Sequence, residues 1–373
     1  MTTHNHSILL VTGGLGFIGI NFIDFMLKKG NGSFRILDNL SVGTVEDLEV
    51  MLAEHGQFKK KLTDYSVKYF LSTEPLHSVI ELIIGDIRSP EDCLKATRGA
   101  AAVLHLAAQS GVPTSVEDPL NDCETNVVGT VNLLEACRNN GPNVFVFASS
   151  GAPLGEVEPP INEKKLPRPI SPYGASKLAG EAYCNAYYKT FGINTASLRF
   201  GNVYGPRSKH KTSVVAKFFN NALQGKVLEI YGDGSQTRDF IYTEDLCNAI
   251  YLAFNSLGFI INFQPSIPLI ITETAGEVFQ IATHRETTVD EIALKIKELV
   301  SNNSEQKVEI WYGEKRLGDV KRNFSDISKA KSKLGFEPHF DIDKGLLATW
   351  DYYRKNSLVD TLNVDQSVRL LAG

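Results

Sequence analysis

The stretch that most constrains the fold of this chain is residues 12–19, where Gly13, Gly16 and Gly19 recur at intervals of three. An apolar, β-branched run precedes these glycines, and an amphipathic segment over residues 20–27 follows them. This order predicts a strand, a tight turn and a helix. The first turn of such a helix carries unpaired N–H groups and the positive end of the helix dipole, which favour a bound diphosphate. Glycine lets the backbone approach that diphosphate and lets the helix pack on the strand.

The next apolar run, residues 34–37, ends in Asp38. An acid about twenty residues beyond such glycines accepts hydrogen bonds from the ribose hydroxyls of a dinucleotide. A 2′-phosphate would be repelled by the same carboxylate, so Asp38 favours NAD over NADP. For the glycine turn taken alone, a turn without any ligand remains the alternative.

Composition limits the class of protein. The chain has 373 residues, 43% of them hydrophobic, and a net charge of −5, which suits one large or two intimate domains without general attraction for nucleic acid. Five cysteines are scattered without metal-ligand spacing, so we expect reduced thiols, no metal site and a cytoplasmic protein. Residues 1–7 do not resemble a signal peptide. The apolar stretch 257–271 is broken by polar residues and prolines, which predicts an added hairpin or covering loop and no membrane partner.

Strands alternate with helices along the first part of the chain. Apolar runs at residues 79–84, 100–108 and 144–148 predict buried strands, and the polar segment 39–77 is expected to be an exposed insertion. The alternation predicts a parallel sheet with helices on both faces, which binds ligands beyond the carboxyl ends of its strands. Asp86 follows one such strand end and either contacts an adenine amino group or caps the next helix. His105 lies within an apolar run and is interpreted as a packed core histidine.

Three side chains after the strand at residues 144–148 carry the predicted chemistry. Ser150 stands at the strand end, and Tyr173 and Lys177 lie four residues apart on one face of a predicted helix. A free tyrosine titrates near pH 10, so acting as a base near pH 7 takes roughly 4 kcal/mol of preferential stabilisation of its phenolate. A neighbouring ammonium and an oxidised nicotinamide both act in that direction, and Ser150 could orient the reacting hydroxyl.

The chain resembles the NAD-dependent nucleotide-sugar epimerase/dehydratase family of extended short-chain dehydrogenases/reductases, from residue 8 to about residue 355. The motifs that carry the resemblance are Thr12-Gly-Gly-Leu-Gly-Phe-Ile-Gly, Asp38-Asn-Leu, Gly85-Asp-Ile, His105-Leu-Ala-Ala, Asn126-Val-Val-Gly-Thr, Tyr173-Gly-Ala-Ser-Lys, Arg199-Phe-Gly-Asn-Val-Tyr-Gly-Pro, Gly232-Asp-Gly-Ser-Gln-Thr-Arg-Asp-Phe and Arg316-Leu-Gly-Asp-Val.

The resemblance implies an α/β fold, namely a Rossmann-type doubly wound parallel sheet with a smaller, discontinuous C-terminal substrate domain. We expect the NAD-binding domain to span residues 1–203 and to return at about 239–283. The nucleotide-sugar-binding domain would comprise residues 204–238 and 284–373.

The resemblance also implies the site residues. Catalysis is assigned to Ser150, Tyr173 and Lys177. The residues expected to bind NAD are Gly13, Gly16, Phe17, Ile18, Gly19, Asp38, Asn39, Asp86, Ile87, Leu106, Ala107, Ala108, Asn126, Tyr173 and Lys177. The residues expected to bind the sugar nucleotide are Ser150, Asn202, Arg238, Arg316 and Asn323, with the two arginines on its diphosphate, which a guanidinium binds bidentately.

The sequence departs from the family pattern at a few places. Leu154 stands where many relatives carry a tyrosine, residues 282–284 replace a glycine-rich turn, and residues 254–275 contain an insertion. Gly151 and Ala152 occupy the positions where dehydrating relatives carry Asp-Glu, and decarboxylating relatives keep a glutamate at the second of them. We therefore predict 4-epimerisation of a UDP-hexose or UDP-hexuronate through a 4-keto intermediate.

Alternatives remain for the activity, the sugar and the assembly. A dehydratase, decarboxylase or reductase on the same scaffold is the enzymatic alternative, and a non-catalytic NAD-binding regulator is the other. The basic residues at 207 and 209–211 form either a site for a C6 carboxylate or an exposed basic loop. Apolar residues at 128, 131, 134, 183, 186 and 187 predict a homodimer surface, unless these helix faces pack on the sheet.

Overall fold

The structure, a computed structural model, describes residues 7–30, 32–71, 78–259, 274–304, 307–315 and 320–355. The strands of these residues are β1 (Ile8–Thr12), β2 (Ser33–Asp38), β3 (Phe58–Leu62), β4 (Val67–Leu71), β5 (Val79–Ile84), β6 (Ala100–His105), β7 (Val144–Ser150), β8 (Asn194–Phe200), β9 (Asn202–Tyr204), β10 (Leu228–Tyr231), β11 (Thr237–Arg238), β12 (Phe240–Tyr242), β13 (Glu277–Ile281), β14 (Thr287–Thr288) and β15 (Ile310–Gly313).

The helices of the described residues follow the same chain order. They are α1 (Phe17–Lys28), α2 (Val45–Glu54), α3 (Pro90–Thr97), α4 (Val112–Glu117), α5 (Pro119–Cys123), α6 (Gly129–Asn140), α7 (Pro172–Phe191), α8 (Val214–Leu223), α9 (Thr243–Ser256), α10 (Val289–Asn303) and α11 (Ser328–Leu334). A π-helical turn, Glu124–Val128, precedes α6, and a short 3₁₀ helix, Ala152–Leu154, follows β7.

A mostly parallel sheet forms the larger part of the described chain. Its strand order is β13-β8-β7-β6-β1-β2-β5-β4-β3. The strands from β13 to β5 are all parallel, whereas β4 and β3 add an antiparallel edge. The chain moves outward from β1 through β2 to β5 and then returns to β6 on the other side of β1. This reversal opens a crevice beyond the carboxyl ends of β1 and β6.

Helices cover both faces of the sheet, as the continuous apolar strands require. Leu9 and Val11 of β1 pack with α1, α2 and α9 in one core cluster, whereas Leu10 packs with α3, α6 and α7 in another. The predicted Rossmann-type fold is therefore confirmed, and each predicted strand lies where the apolar runs indicated.

The polar segment 39–77 is more ordered than the expected exposed insertion. Within its described part, α2 packs on the sheet through buried leucine and methionine side chains, and β4 buries Tyr69 and Leu71. Only β3 stays largely exposed, with its three lysines on the outer edge of the sheet. Sequence reasoning missed the packing of α2 and β4 on the sheet, because short, half-buried elements at a sheet edge carry few apolar residues. Residues 72–77 lie outside the described residues.

A second core lies beside the sheet. It is formed by α8, α10, β10 and residues near Trp350, which is fully buried. Helix α11, which the predicted boundaries assign to the second domain, packs instead with Phe336 on the sheet core. Leu257 and Phe259, at the start of the apolar stretch 257–271, also pack there, and residues 260–273 lie outside the described residues. None of the described helices is long and apolar enough to cross a membrane.

Candidate functional site

The glycine turn opens a cleft at the switch point of the sheet. β1 ends at Thr12 and α1 begins at Phe17, and the helix has Gly16 at its N-cap with no side-chain cap. Gly13 has φ +64°, and a Cβ there would lie 2.7 Å from the backbone nitrogen of Ala107. The uncapped N-terminus of α1 therefore remains available to an anionic ligand, as the glycine spacing predicted. Residues of the turn and of the first helical turn line the cleft, namely Gly13, Gly16, Phe17, Ile18 and Gly19.

Asp38 lies in the same cleft at the end of β2. Its carboxylate accepts hydrogen bonds from the backbone nitrogens of Leu15 and Leu40, each at 2.9 Å. Burial raises the pKa of the Asp38 carboxyl, and these two hydrogen bonds act against that rise. The backbone thus fixes the Asp38 carboxylate beside the turn, where this carboxylate can accept hydrogen bonds from ribose hydroxyls.

Asp86 and Asn39 meet at the same end of the cleft. The Asn39 side chain donates to Asp86 at 3.1 Å, and both residues line the cleft. Arg88, which sequence reasoning missed, donates to both carboxylate oxygens of Asp86, through Nε at 3.0 Å and Nη2 at 2.7 Å. These hydrogen bonds lower the pKa of Asp86 to about 2. Ser89, and not Asp86, caps α3, which leaves the Asp86 carboxylate at the cleft.

The end of β6 forms the floor of the cleft. Small side chains follow the strand, and Leu106, Ala107 and Ala108 line the cleft together with Ile87. His105 is buried, with its two ring nitrogens within hydrogen-bond distance of Thr12 and Thr130, at 2.7 and 3.0 Å. The interpretation of His105 as a core histidine is confirmed.

The three predicted catalytic side chains come together between β7 and α7. Ser171 caps α7 by accepting a hydrogen bond from the backbone nitrogen of Gly174, which fixes the helix start next to the strand end. The side chain of Ser150 lies close enough to the Tyr173 hydroxyl to lower its pKa. The ammonium of Lys177 lies 5.9 Å from the centre of the Tyr173 ring and donates to the carbonyl of Ala148 at 3.0 Å. Tyr173 and Lys177 also line the dinucleotide cleft.

The electrostatics of this pair differ from the sequence expectation. Burial raises the pKa of Tyr173 to about 12, although the Ser150 side chain acts in the opposite direction. Burial also lowers the pKa of Lys177 to about 8. The physical reason is that desolvation disfavours both charged forms, the phenolate of Tyr173 and the ammonium of Lys177. At the distance between them, the ammonium does not compensate the cost of desolvating the phenolate. In the protein alone, Tyr173 is therefore a neutral phenol at pH 7.

Asn126 is buried below the cleft and does not line it. Its side-chain amide donates to the carbonyl of Gln109 and to Asp122, each at 2.9 Å, and its oxygen accepts from the Gln109 nitrogen at 2.9 Å. It also donates to Ser176 of α7 at 3.2 Å. Asn126 thus holds the Gln109 backbone, Asp122 and α7 in register, which suits a positioning role beside its predicted contact with NAD.

Besides Ser150, the described residues that are predicted to bind the sugar nucleotide are Asn202, Arg238 and Asn323. Asn202 is in β9, just after Phe200, which lines the cleft. The Arg238 guanidinium donates to the carbonyls of Thr237 and Val320, each at 2.7 Å. Asn323 is half-buried in the segment after Val320. Arg316 lies outside the described residues.

Sequence reasoning missed several residues that line the cleft. They are Ser41, Val42, Gly43, Arg88, Gln109, Ser110, Asn121, Thr125 and Phe200. Lys211 also lines the cleft, although the sequence left its basic loop unassigned. The first six of these residues lie in turns without periodicity, whereas Asn121, Thr125 and Phe200 belong to α5, the π-helical turn and β8. Among the described residues, no cluster of three or more His, Cys, Asp or Glu side chains could hold a metal ion.

Known proteins match nearly the whole chain. The NAD dependent epimerase/dehydratase family matches residues 9–260. The putative UDP-glucose 4-epimerase of Methanocaldococcus jannaschii is 33% identical over 94% of this chain and 99% of that protein. The UDP-glucuronate 4-epimerase of Thermodesulfobacterium geofontis is 28% identical over 95% and 99% of the two chains. The Thermus thermophilus UDP-glucose 4-epimerase, solved in complex with NAD, superposes with a TM-score of 0.74 at 31% identity, covering 93% of this chain and 99% of that one.

Proposed function

The chain belongs to the NAD-dependent epimerase/dehydratase family and is an NAD-dependent enzyme, and on that basis we propose that it interconverts the C4 epimers of a UDP-linked hexose or hexuronate. One observation carries the proposal. Tyr173 and Lys177 line the same cleft as the glycine turn and Asp38, and the Ser150 side chain lies close enough to Tyr173 to lower the pKa of its hydroxyl. A hydroxyl-bearing carbon placed there would face a proton acceptor and a hydride acceptor at once.

Gly13, Gly16 and Asp38 would hold NAD in this cleft, where the cofactor would supply reversible hydride transfer at C4. Tyr173 takes the proton of the 4-hydroxyl and gives it back, while Ser150 orients that hydroxyl by hydrogen bonding. Because burial raises the pKa of Tyr173 to about 12, proton transfer near neutral pH needs added positive charge in the cleft. Lys177 contributes part of that charge, and the oxidised cofactor contributes the rest.

The residues after Ser150 favour epimerisation over dehydration and decarboxylation. Dehydration needs an acid and a base near C5 and C6 of the sugar, and Gly151 and Ala152 offer neither. Glu158 lies nearby in sequence, but its carboxylate is exposed and pairs with Arg322 at 3.1 Å. Loss of a general acid or base typically costs about 10²–10⁴ in rate, so elimination should be slow while hydride transfer stays fast.

The test is incubation of the purified protein with a panel of UDP-sugars, with products identified by NMR. We expect the 4-epimer as the main product, without a 4-keto-6-deoxy sugar and without a pentose. Formation of either at a rate comparable to epimerisation would indicate a dehydratase or a decarboxylase. A stoichiometric requirement for added NADPH would indicate a reductase.

The identity of the sugar is the finer part of the proposal. Relatives of similar identity are named for UDP-glucose and for UDP-glucuronate, so overall similarity does not choose between them. We assign Asn323 to the far side of the sugar pocket, where its size limits entry of N-acetylated sugars. The same NMR panel tests this: N323Y should lower the ratio of activities on N-acetylated and plain UDP-hexoses. An unchanged ratio would remove Asn323 from the pocket.

We also propose a homodimer formed through α7 and the neighbouring helical segment before α6. Val128 and Tyr183 are exposed there, at 48% and 41%, and Ala186 is exposed beside them. Leu134 and Tyr187, which the sequence assigned to the same surface, are buried in the protomer. The smaller set of exposed residues supports a second copy of this chain as the partner, because two such helices from each copy can pack as a four-helix arrangement.

A further inference from the structure

The loop between β9 and α8 is fixed to the dinucleotide-binding side of the molecule. Arg207, at φ +59°, donates to Asp24 of α1 at 3.3 Å and to Glu54 of α2 at 2.6 Å. Asn21 of α1 donates to the carbonyl of Pro206 at 3.0 Å. These contacts hold the start of the loop against two helices that flank the cleft.

The middle of the loop is held in the same way. Lys209 pairs with Asp47 of α2 at 2.6 Å, and His210 lies 3.4 Å from the other oxygen of that carboxylate. The backbone nitrogen of Lys211 donates to the carbonyl of Ser208 at 2.9 Å, which closes a turn. The position of Lys211 is thus set by its neighbours on both sides.

Lys211 differs from the other cations of this loop. Its side chain is half-buried and lines the cleft, with its ammonium 5.7 Å from the centre of the Phe17 ring. Within the part of the chain that the structure describes, this ammonium has no ion pair and no hydrogen bond. Burial lowers the pKa of Lys211, and no neighbouring acid raises it.

A desolvated ammonium next to the positive end of a helix is unfavourable unless an anion lies between them. Phe17 is the first residue of α1, so the Lys211 ammonium lies near the start of that helix, which has no side-chain cap, and both residues line the cleft. We propose that Lys211 binds a diphosphate together with the N-terminus of α1. The inference deepens the proposed function, because it adds a ligand-binding residue to the same site.

Two diphosphates could meet this ammonium, that of NAD and that of the UDP-sugar. The position beside Phe17 favours the diphosphate of NAD, because the glycine turn and the first turn of α1 bind that group. A lysine on the second-core side would then link the cofactor to the sugar-binding half of the molecule.

The experiment measures binding to the full chain after removal of copurifying nucleotide. Calorimetry compares NAD, ADP-ribose and UDP on the wild type, K211Q, K211R and K209Q. Loss of one charge-assisted contact typically weakens binding about 10- to 100-fold. We expect K211Q to bind NAD more weakly than the wild type by that factor. The same loss should appear for ADP-ribose, which carries the diphosphate without nicotinamide. K211R should stay near the wild type. K209Q is the control for a shift of the loop and should change binding little, because the contacts made by Arg207 and Asn21 still hold the loop.

The outcomes separate the sources of the diphosphate. Weaker binding of UDP with unchanged NAD assigns Lys211 to the diphosphate of the sugar nucleotide. Unchanged affinity for all ligands in K211Q, or an equal loss in K209Q, overturns the proposal. Because the experiment measures binding, it separates the two proposals. A wild type that binds NAD and UDP without epimerising any sugar would refute the proposed function and would not affect the proposal that Lys211 binds a diphosphate.

Discussion

Arg199 and Glu181 form a bidentate ion pair near the predicted catalytic residues, with Nε and Nη2 each 2.7 Å from a carboxylate oxygen. Both side chains are buried, and Ser149 Oγ donates to the same carboxylate at 2.5 Å. Ser149 lines the cleft next to Ser150, and the Glu181 charge acts to raise the pKa of Lys177. The pair therefore joins β7, β8 and α7 where the chemistry is expected.

Replacing Arg199 by methionine should destabilise the protein strongly. The Glu181 carboxylate would stay buried without its partner, which typically costs about 3–5 kcal/mol. Urea unfolding measures the change in the free energy of unfolding. R138M, which breaks an exposed pair with Glu135, is the control and should cost much less than R199M, because solvent screens exposed charges. Equal costs for the two variants would show that the buried pair does not hold these elements.

Tyr173→Phe should abolish epimerisation without removing the cofactor. Deleting the proton-transfer group should lower kcat about 10²–10⁴-fold, while the affinity for NAD changes little because the ring remains. Product formation by NMR and NAD content after purification measure the two effects. Tyr183→Phe alters an exposed hydroxyl on the same helix and serves as the control. Loss of NAD in step with activity would instead assign Tyr173 to cofactor binding.

The affinity for NAD should exceed that for NADP by at least about tenfold. The Asp38 carboxylate is placed to accept hydrogen bonds from ribose hydroxyls and would repel a 2′-phosphate. D38N should lower the ratio of the two affinities, because it weakens the binding of NAD and removes the repulsion of the 2′-phosphate of NADP. Calorimetry with both cofactors measures the ratio. D64N, an exposed acid in the turn between β3 and β4, is the control. Equal affinities of the wild type for the two cofactors contradict the prediction.

His105 should make the protein sensitive to acid. Burial lowers the pKa of His105 to about 3, below its ordinary value of 6.5. The unfolded chain therefore binds a proton more readily, and the stability due to this residue is complete above pH 6.5 and is lost as the pH falls toward 3.

At pH 5 that loss amounts to about 2 kcal/mol. In H105Q, the difference in unfolding free energy between pH 7 and pH 5 should be smaller than in the wild type by this amount. H210Q, at an exposed position, should behave as the wild type does. A pH dependence of H105Q that matches the wild type would rule out the explanation.

The proposed dimer predicts that V128D is a monomer. A carboxylate at this exposed position would have to be desolvated in the contact, which is costly without a partner charge. Light scattering at micromolar concentration measures the mass of each variant. L294D, at an exposed leucine of α10 in the second core, should keep the mass of the wild type. A monomeric wild type would refute the dimer itself.

Sequence alone determined the parts of this protein that local patterns encode. The glycine spacing, the apolar runs and the four-residue interval between Tyr173 and Lys177 depend on the geometry of one turn, strand or helix. The Rossmann-type fold and the use of NAD followed from them, because such elements assemble in few ways.

Tertiary structure decided what depends on distant segments. It partly desolvated Tyr173, which raises the pKa of this residue where the sequence led us to expect a lower one, and it buried Lys177, whose pKa falls. It also gave the basic side chains of one loop different surroundings. Arg207 and Lys209 pair with acids of α1 and α2, whereas Lys211 lines the cleft. Desolvation and ion pairing depend on what packs around a charge, and the acids that pair with Arg207 and Lys209 are more than a hundred positions away along the chain.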